Sequence, residues 1–208
     1  MHLDLFEQPG ENDFFSDLFG RGAAKPYSCL ARVARARFSR MTHELFTIGH
    51  SNHPLPRFLG LLALHGIELL CDVRSTPYSR FNPQFNREPL QAALEAGGVG
   101  YLYLGESLGG KPREPGYPAD DAARFAIIAA SDRFRAGVDR LVKESRARRT
   151  AVMCAEKEPA RCHRGLLICP NLPDGVAVRH ILADGSLVAH LEPEDRTAGD
   201  DARQPRLL

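Results

Sequence analysis

Glu44-Leu-Phe-Thr-Ile-Gly-His50 is the stretch that decides the fold: a short apolar run closed by glycine, which reads as a buried strand. Working outward, residues 54–65 place Leu55, Phe58, Leu59, Leu62 and Ala63 on one helical face, and residues 68–73 form a second strand. After a polar loop, residues 87–96 make a short helix stopped by Gly97-Gly98. Residues 100–104 are a third strand, with Tyr101 and Tyr103 alternating against leucines. Residues 119–130 and 132–148 read as two helices, with Ser131 as an N-cap between them and Phe134, Val138, Leu141 and Val142 lining one face of the second. Residues 150–155 are a fourth strand, and Pro159 opens a further helix at a first-turn position that proline tolerates. Residues 176–182 and 187–191, joined by Asp184-Gly185, read as a closing hairpin. Strands alternating with helices predict an α/β fold. Its sheet is mostly parallel, flanked by helices on both faces, with an antiparallel edge hairpin near the C-terminus.

Upstream of Glu44 the texture changes. Residues 1–20 carry five acids and no base, and residues 21–40 carry six bases and no acid, neither with a sustained period. Three readings stand for residues 1–40: a disordered arm, a non-native extension from an upstream start codon, or a segment whose Phe14-Phe-Ser-Asp-Leu-Phe19 stretch folds onto a partner. Residues 41–192 are expected to form a single α/β domain, and residues 193–208 a flexible polar tail.

The chain has 208 residues, 43% of them hydrophobic and 25% charged, as in an ordinary globular protein. Its 27 basic and 26 acidic side chains leave a net charge of +1, which argues against a nonspecific polyanion binder. The longest apolar runs fall far short of the roughly 20 residues of a membrane span, and no secretion signal is evident. Five cysteines, odd in number and without a CxxC pair, point away from a disulfide framework and toward a reducing cytoplasm.

Ligands of open α/β sheets bind beyond the carboxyl ends of the parallel strands, so the residues at those exits carry the functional argument. The first strand is followed by Gly49-His-Ser-Asn52 and the second by Asp72, Arg74, Ser75 and Ser79-Arg80. After the third come Gly105-Glu-Ser107 and Gly109-Gly-Lys111, and after the fourth Cys154, Glu156 and Cys162-His-Arg164. Titratable residues and glycines gather at one edge four times over.

These residues carry a resemblance. Thr47-Ile-Gly-His-Ser51, Asp72-Val-Arg-Ser-Thr-Pro-Tyr-Ser-Arg80, the Leu108-Gly-Gly110 loop, and Cys154-Ala-Glu156 with Cys162-His-Arg164 resemble the domain of unknown function 488 family. The four motifs occur in order across about residues 45–168. The family carries no assigned activity, so the resemblance implies a fold and a site but no reaction. It begins near Met41, which favours reading residues 1–40 as an appendage.

The residues themselves suggest chemistry. Cys162, early in a helix and flanked by Arg161 and Arg164, is expected to have a lowered pKa and to act as a nucleophile or redox thiol. The structural alternative packs Cys162 inward while Arg164 caps a neighbour. Cys154, at a strand end, reads more readily as a buried filler. Asp72 and Arg74, two apart on one strand, either form a buried ion pair or divide their work. In the second case Asp72 orients His50 or His163, while Arg74 and Arg80 grip an anion. Metal binding is not expected, because consecutive Cys162 and His163 on a helix point about 100° apart. No cofactor is expected either. A phosphatase loop is disfavoured because Arg161 comes one residue late and Glu156 and Glu158 would repel phosphate. No Walker-type or dinucleotide glycine motif follows the first strand.

Together these readings predict an enzyme-like site that binds a phosphate-bearing ligand, a nucleotide or a nucleic-acid end. His50, Asp72, Glu156, Cys162 and His163 would supply the chemistry, and Ser51, Arg74, Arg80 and Arg164 the ligand contacts. The competing reading is a non-catalytic nucleic-acid-binding module, in which Arg80, Phe81, Asn82, Phe85 and Arg87 interleave bases with aromatics.

Overall fold

The computed structural model describes residues 43–190. The expectations for residues 1–40, for the Phe14–Phe19 stretch within them and for the tail from residue 193 lie outside the described residues.

Six strands form one sheet: β1 (His43–Gly49), β2 (Leu69–Asp72), β3 (Gly100–Tyr103), β4 (Thr150–Cys154), β5 (Val176–Ile181) and β6 (Leu187–Ala189). Their order is β3-β2-β4-β1-β5-β6, and every neighbouring pair is parallel except β5 with β6. The helices are α1 (Leu55–Leu64), α2 (Arg87–Ala96), α3 (Gly105–Leu108), α4 (Asp121–Ala129) and α5 (Asp132–Ala147). The α/β architecture and its antiparallel edge are those the alternating pattern predicts. β1 lies between β4 and β5, which explains why its last five residues are all buried and why it reads as an unbroken apolar run.

Strand alternation divides the core in two. On one face Phe46, Ile48, Leu70, Ala151 and Met153 meet Phe58, Leu61 and Leu62 of α1 and Leu90 and Leu94 of α2. On the other, Leu45, Leu69, Cys71, Val152 and Cys154 meet Ile128 of α4 and Phe134, Val138, Leu141 and Val142 of α5. Ser131 caps α5 as expected, its hydroxyl accepting from the Phe134 N–H at 3.2 Å.

Two local expectations are corrected. In α1, Leu61 is buried and Ala63 is exposed. At 100° per residue Leu61 stands about 60° from Phe58, whereas Ala63 stands about 140° away and leaves the inward stripe. The helix expected from Pro159 is three short turns: a 3-10 turn Pro159–Arg161, a π turn Arg164–Ile168 and a 3-10 turn Cys169–Asn171. Cys162 is extended between the first two, with φ −131° and ψ 162°, so it is not in the first turn of an α-helix.

The parallel strands β1 to β4 all present their carboxyl ends at one edge of the sheet. That edge holds the site.

Candidate functional site at the carboxyl edge of the sheet

On the α1–α2 side the site is built around a buried ion pair. Asp72 is fully buried; its Oδ1 accepts from the backbone N–H and the Nε of Arg74 at 3.1 and 2.9 Å. Its Oδ2 accepts from Arg74 Nη2 at 2.6 Å and from the Tyr101 hydroxyl at 2.8 Å. Arg74 Nη2 also donates to the Phe85 carbonyl at 2.8 Å, and Nη1 lies 3.3 Å from His50 Nε2. Each nitrogen of this guanidinium therefore has a partner within the protein. The pair ties β2 to the 3-10 turn Pro83–Phe85 and to β3.

His50 follows from that arrangement. Its Nδ1 is 2.8 Å from the Ser51 carbonyl, and its ring stacks on Phe85 at 4.4 Å. A carbonyl only accepts and a guanidinium only donates, so the proton sits on Nδ1 and Nε2 accepts from Arg74. Burial and the Arg74 charge hold the ring neutral, with a pKa lowered to about 4. Ser51 has a left-handed backbone, φ 46°, and its N–H donates to the Ala155 carbonyl at 2.9 Å, carrying the β1–β4 ladder past Gly49.

On the α5 side two thiols meet. Cys154 Sγ and Cys162 Sγ are 3.5 Å apart, and Arg164 Nη1 lies 2.7 Å from Cys154 Sγ. The Arg164 guanidinium is buried and also donates to the carbonyls of Glu156 and Lys157 at 2.7 and 2.8 Å. The hydrogen bond between the thiols, with burial, raises Cys154. The same bond, received from Cys154, lowers Cys162 to about 6, helped by the Arg164 charge and the N–H groups of Gly165 and Arg164. The pair thus shares one proton more readily than two. Gly49 makes this possible: a Cβ there would stand 1.9 Å from the Glu156 carbonyl oxygen and 2.8 Å from Arg164 Nη1.

His163 Nε2 is 3.0 Å from the Val73 carbonyl, so Nε2 carries the proton and Nδ1 the lone pair. Burial lowers this ring also to about 4. For His50 and His163 the folded pKa lies below the ordinary 6.5, so between those values the unfolded chain binds the additional protons. Stability is expected to fall as pH drops from 6.5 to about 4, by up to about 1.4 kcal/mol per pH unit for each ring. Urea midpoints measured across this range check it, and His50→Asn and His163→Asn should each flatten the slope.

Five of the nine predicted site residues fall into two side-chain contact groups, while His163 bonds the Val73 carbonyl and Ser51 bonds Asn52. His50, Asp72 and Arg74 form one, and Cys162 and Arg164 form the other with Cys154. Register explains the division: Asp72 pairs with Met153, so Cys154 points to the opposite face. Glu156 enters through its carbonyl, while its side chain is exposed. Arg80 is exposed over the Phe81 ring at 4.8 Å. In the aromatic–basic stretch, Phe81 is exposed, Phe85 is buried beneath His50, and Arg87 covers Tyr103. Among the described residues no three His, Cys, Asp or Glu side chains are placed to hold a metal ion, and no helix is long and apolar enough to cross a membrane.

A cavity of about 910 Å3 opens beyond the ends of β2 and β3, bordered by Ser75, Tyr103 and Tyr117. Its charged lining is Lys111, Arg113, Arg133 and Arg140 against Glu106 and Glu114. Arg133 is paired with Glu114 at 2.6 Å. Arg113, on a loop, and Arg133 and Arg140, exposed on α5, carry no signal in the sequence, where such charge reads as ordinary solvated surface. Tyr101 was signalled by the tyrosine alternation in β3. Its hydrogen bond to Asp72 has no signal in the sequence.

Fold and edge together define an α/β protein with a buried polar frame, a thiol pair and a basic cavity at the carboxyl ends of parallel strands. The family described as "Domain of unknown function DUF488" matches residues 54–169, more than half of the chain, and the protein belongs to that family. The match begins after β1, so the Thr47–Ser51 motif lies outside it while the other three motifs lie within. No curated protein and no solved structure matches the chain.

Proposed function

We propose that this protein is a cytoplasmic, enzyme-like member of its family that binds a small phosphate-bearing ligand, a nucleotide or a nucleic-acid end, and acts through cysteine–histidine chemistry. The observation that carries the reading is the basic cavity at the strand ends. With Arg133 held by Glu114, Lys111, Arg113 and Arg140 face Glu106 alone, an excess of positive charge suited to phosphate. Cys162 is the reactive thiol and His163, with its lone pair on Nδ1, the proton acceptor. Asp72, His50, Arg74 and Arg164 position the edge, and Ser51, Arg80 and Glu156 make contacts from the solvent side.

The test is a calorimetric and thermal-shift panel of inorganic phosphate, pyrophosphate, nucleoside mono-, di- and triphosphates and a 5′-phosphorylated oligonucleotide. At least one compound is expected to bind, with affinity reduced tenfold or more in Lys111→Ala/Arg113→Ala/Arg140→Ala. A blank panel, or equal binding by the triple variant, overturns the cavity reading. The exposed Arg80–Phe81 stack favours the nucleic-acid-binding alternative. A salt-sensitive gel shift that survives Cys162→Ala and His163→Ala but is lost in Phe81→Ala would move the assignment there.

A further inference from the structure

We infer that Cys154 and Cys162 form a peroxide-reactive dithiol that closes to an intramolecular disulfide. This rests on the reactivity proposed for Cys162 and is independent of the phosphate-bearing ligand.

The starting point is Arg164, 1% exposed, with no carboxylate partner among the described residues. A buried guanidinium left without a counter-charge is costly. Among the described residues its hydrogen-bond partners are two carbonyls and the Cys154 sulfur, and its Nε has none. The ionisable group in contact with it is the thiol pair, so one thiolate shared between Cys154 and Cys162 supplies the missing negative charge. The second observation is proximity: the sulfurs, 3.5 Å apart, need close by only about 1.5 Å to reach bonding distance. The chain between them can follow, because residues 155–158 and 160–161 are exposed and Cys162 sits in an extended link between two short turns. Cys71, by contrast, lies within the sheet with its thiol pushed up to about 12 by burial, which leaves it inert.

The co-reactant is a hydroperoxide, small enough to approach a residue that is only 4% exposed. The Cys162 thiolate attacks one peroxide oxygen; an S–O bond forms, the O–O bond breaks, and the departing hydroxide takes a proton to become water. Cys162 is then a sulfenic acid, oxidised by two electrons while the peroxide is reduced. The Cys154 sulfur, whose thiolate form Arg164 stabilises, attacks it; the S–S bond forms, the S–O bond breaks, and hydroxide leaves as water with the Cys154 proton. Two thiols and one hydrogen peroxide give one disulfide and two waters.

The experiment treats the full-length, reduced protein with stoichiometric hydrogen peroxide, blocks remaining thiols and maps peptides by mass spectrometry. The expected result is a Cys154–Cys162 bridged peptide, with a loss of about 2 Da per chain and Cys71 and Cys169 still alkylated. Cys154→Ser should stall at a sulfenic acid on Cys162 that dimedone traps, and Cys162→Ser should react at least tenfold more slowly. A bridge joining other cysteines, conversion of Cys162 to sulfinic acid with Cys154 still a free thiol, or no thiol loss would each overturn the inference. The wild-type map decides this even if a variant misfolds. A bridge without any binding in the phosphate panel removes the ligand reading alone, and binding without a bridge removes the dithiol alone.

Discussion

Asp72→Ala is expected to lower folding stability by about 3–5 kcal/mol, the cost of leaving one member of a buried ion pair without its partner. The reason is specific to this carboxylate. It accepts four hydrogen bonds, three from Arg74 and one from the Tyr101 hydroxyl, with no exposure to water that could replace them. Alanine leaves the Arg74 guanidinium buried with, among the described residues, the Phe85 carbonyl and the His50 ring nitrogen as its remaining partners. Asp72→Leu combined with Arg74→Met removes both charges and should recover much of the loss, since apolar pairs of similar volume often replace buried ion pairs at little cost. Urea denaturation followed by circular dichroism measures both. A loss below about 1 kcal/mol in Asp72→Ala would show that water reaches Arg74, and would return it to the candidates for gripping a ligand.

Gly49→Ala is expected to cost about 3 kcal/mol or more, above the usual 1–3 kcal/mol of an added methyl in a packed core. The new methyl would stand 1.9 Å from the Glu156 carbonyl oxygen, a backbone atom that a rotamer change cannot move aside. Shifting that carbonyl also removes an acceptor from Arg164, so alkylation of Cys162 should slow or accelerate together with the stability change. Gly60→Ala is the matched control. In α1 a Cβ at residue 60 meets nothing within 4 Å, and alanine there should stabilise by up to about 1 kcal/mol through helix propensity. The same substitution thus has opposite signs at two sites, and thermal unfolding of both variants is enough to test it. Equal effects would mean that the Gly49 backbone accommodates the methyl.

Much of the fold could be read in advance because its cues are local. The buried run of β1, the Ser131 cap, the α5 stripe and the Asp184-Gly185 turn each depend on residues within one or two turns of each other. The segment after Pro159 could not be read this way. Its three short turns bring the Arg164 guanidinium to the carbonyls of Glu156 and Lys157 and to the Cys154 sulfur. No helical period encodes that. The stretch from Arg80 to Arg87 shows the same limit: its alternating bases and aromatics suggested one surface, yet Phe85 turns inward to pack on His50 and Phe58.

The chain order of apolar runs, caps and turns was sufficient for the α/β class and for gathering His50, Asp72, Arg74, Cys154, Cys162 and Arg164 at one sheet edge, since parallel strands must end together. Which of them touch depended on strand register. Asp72 aligns with Met153 and Gly49 with Cys154, and because side chains alternate across a sheet, the ion pair goes to one face and the thiols to the other. Pairing between strands so far apart in the chain is a property of the assembled sheet, where burial leaves each charge only the partners that register brings within reach.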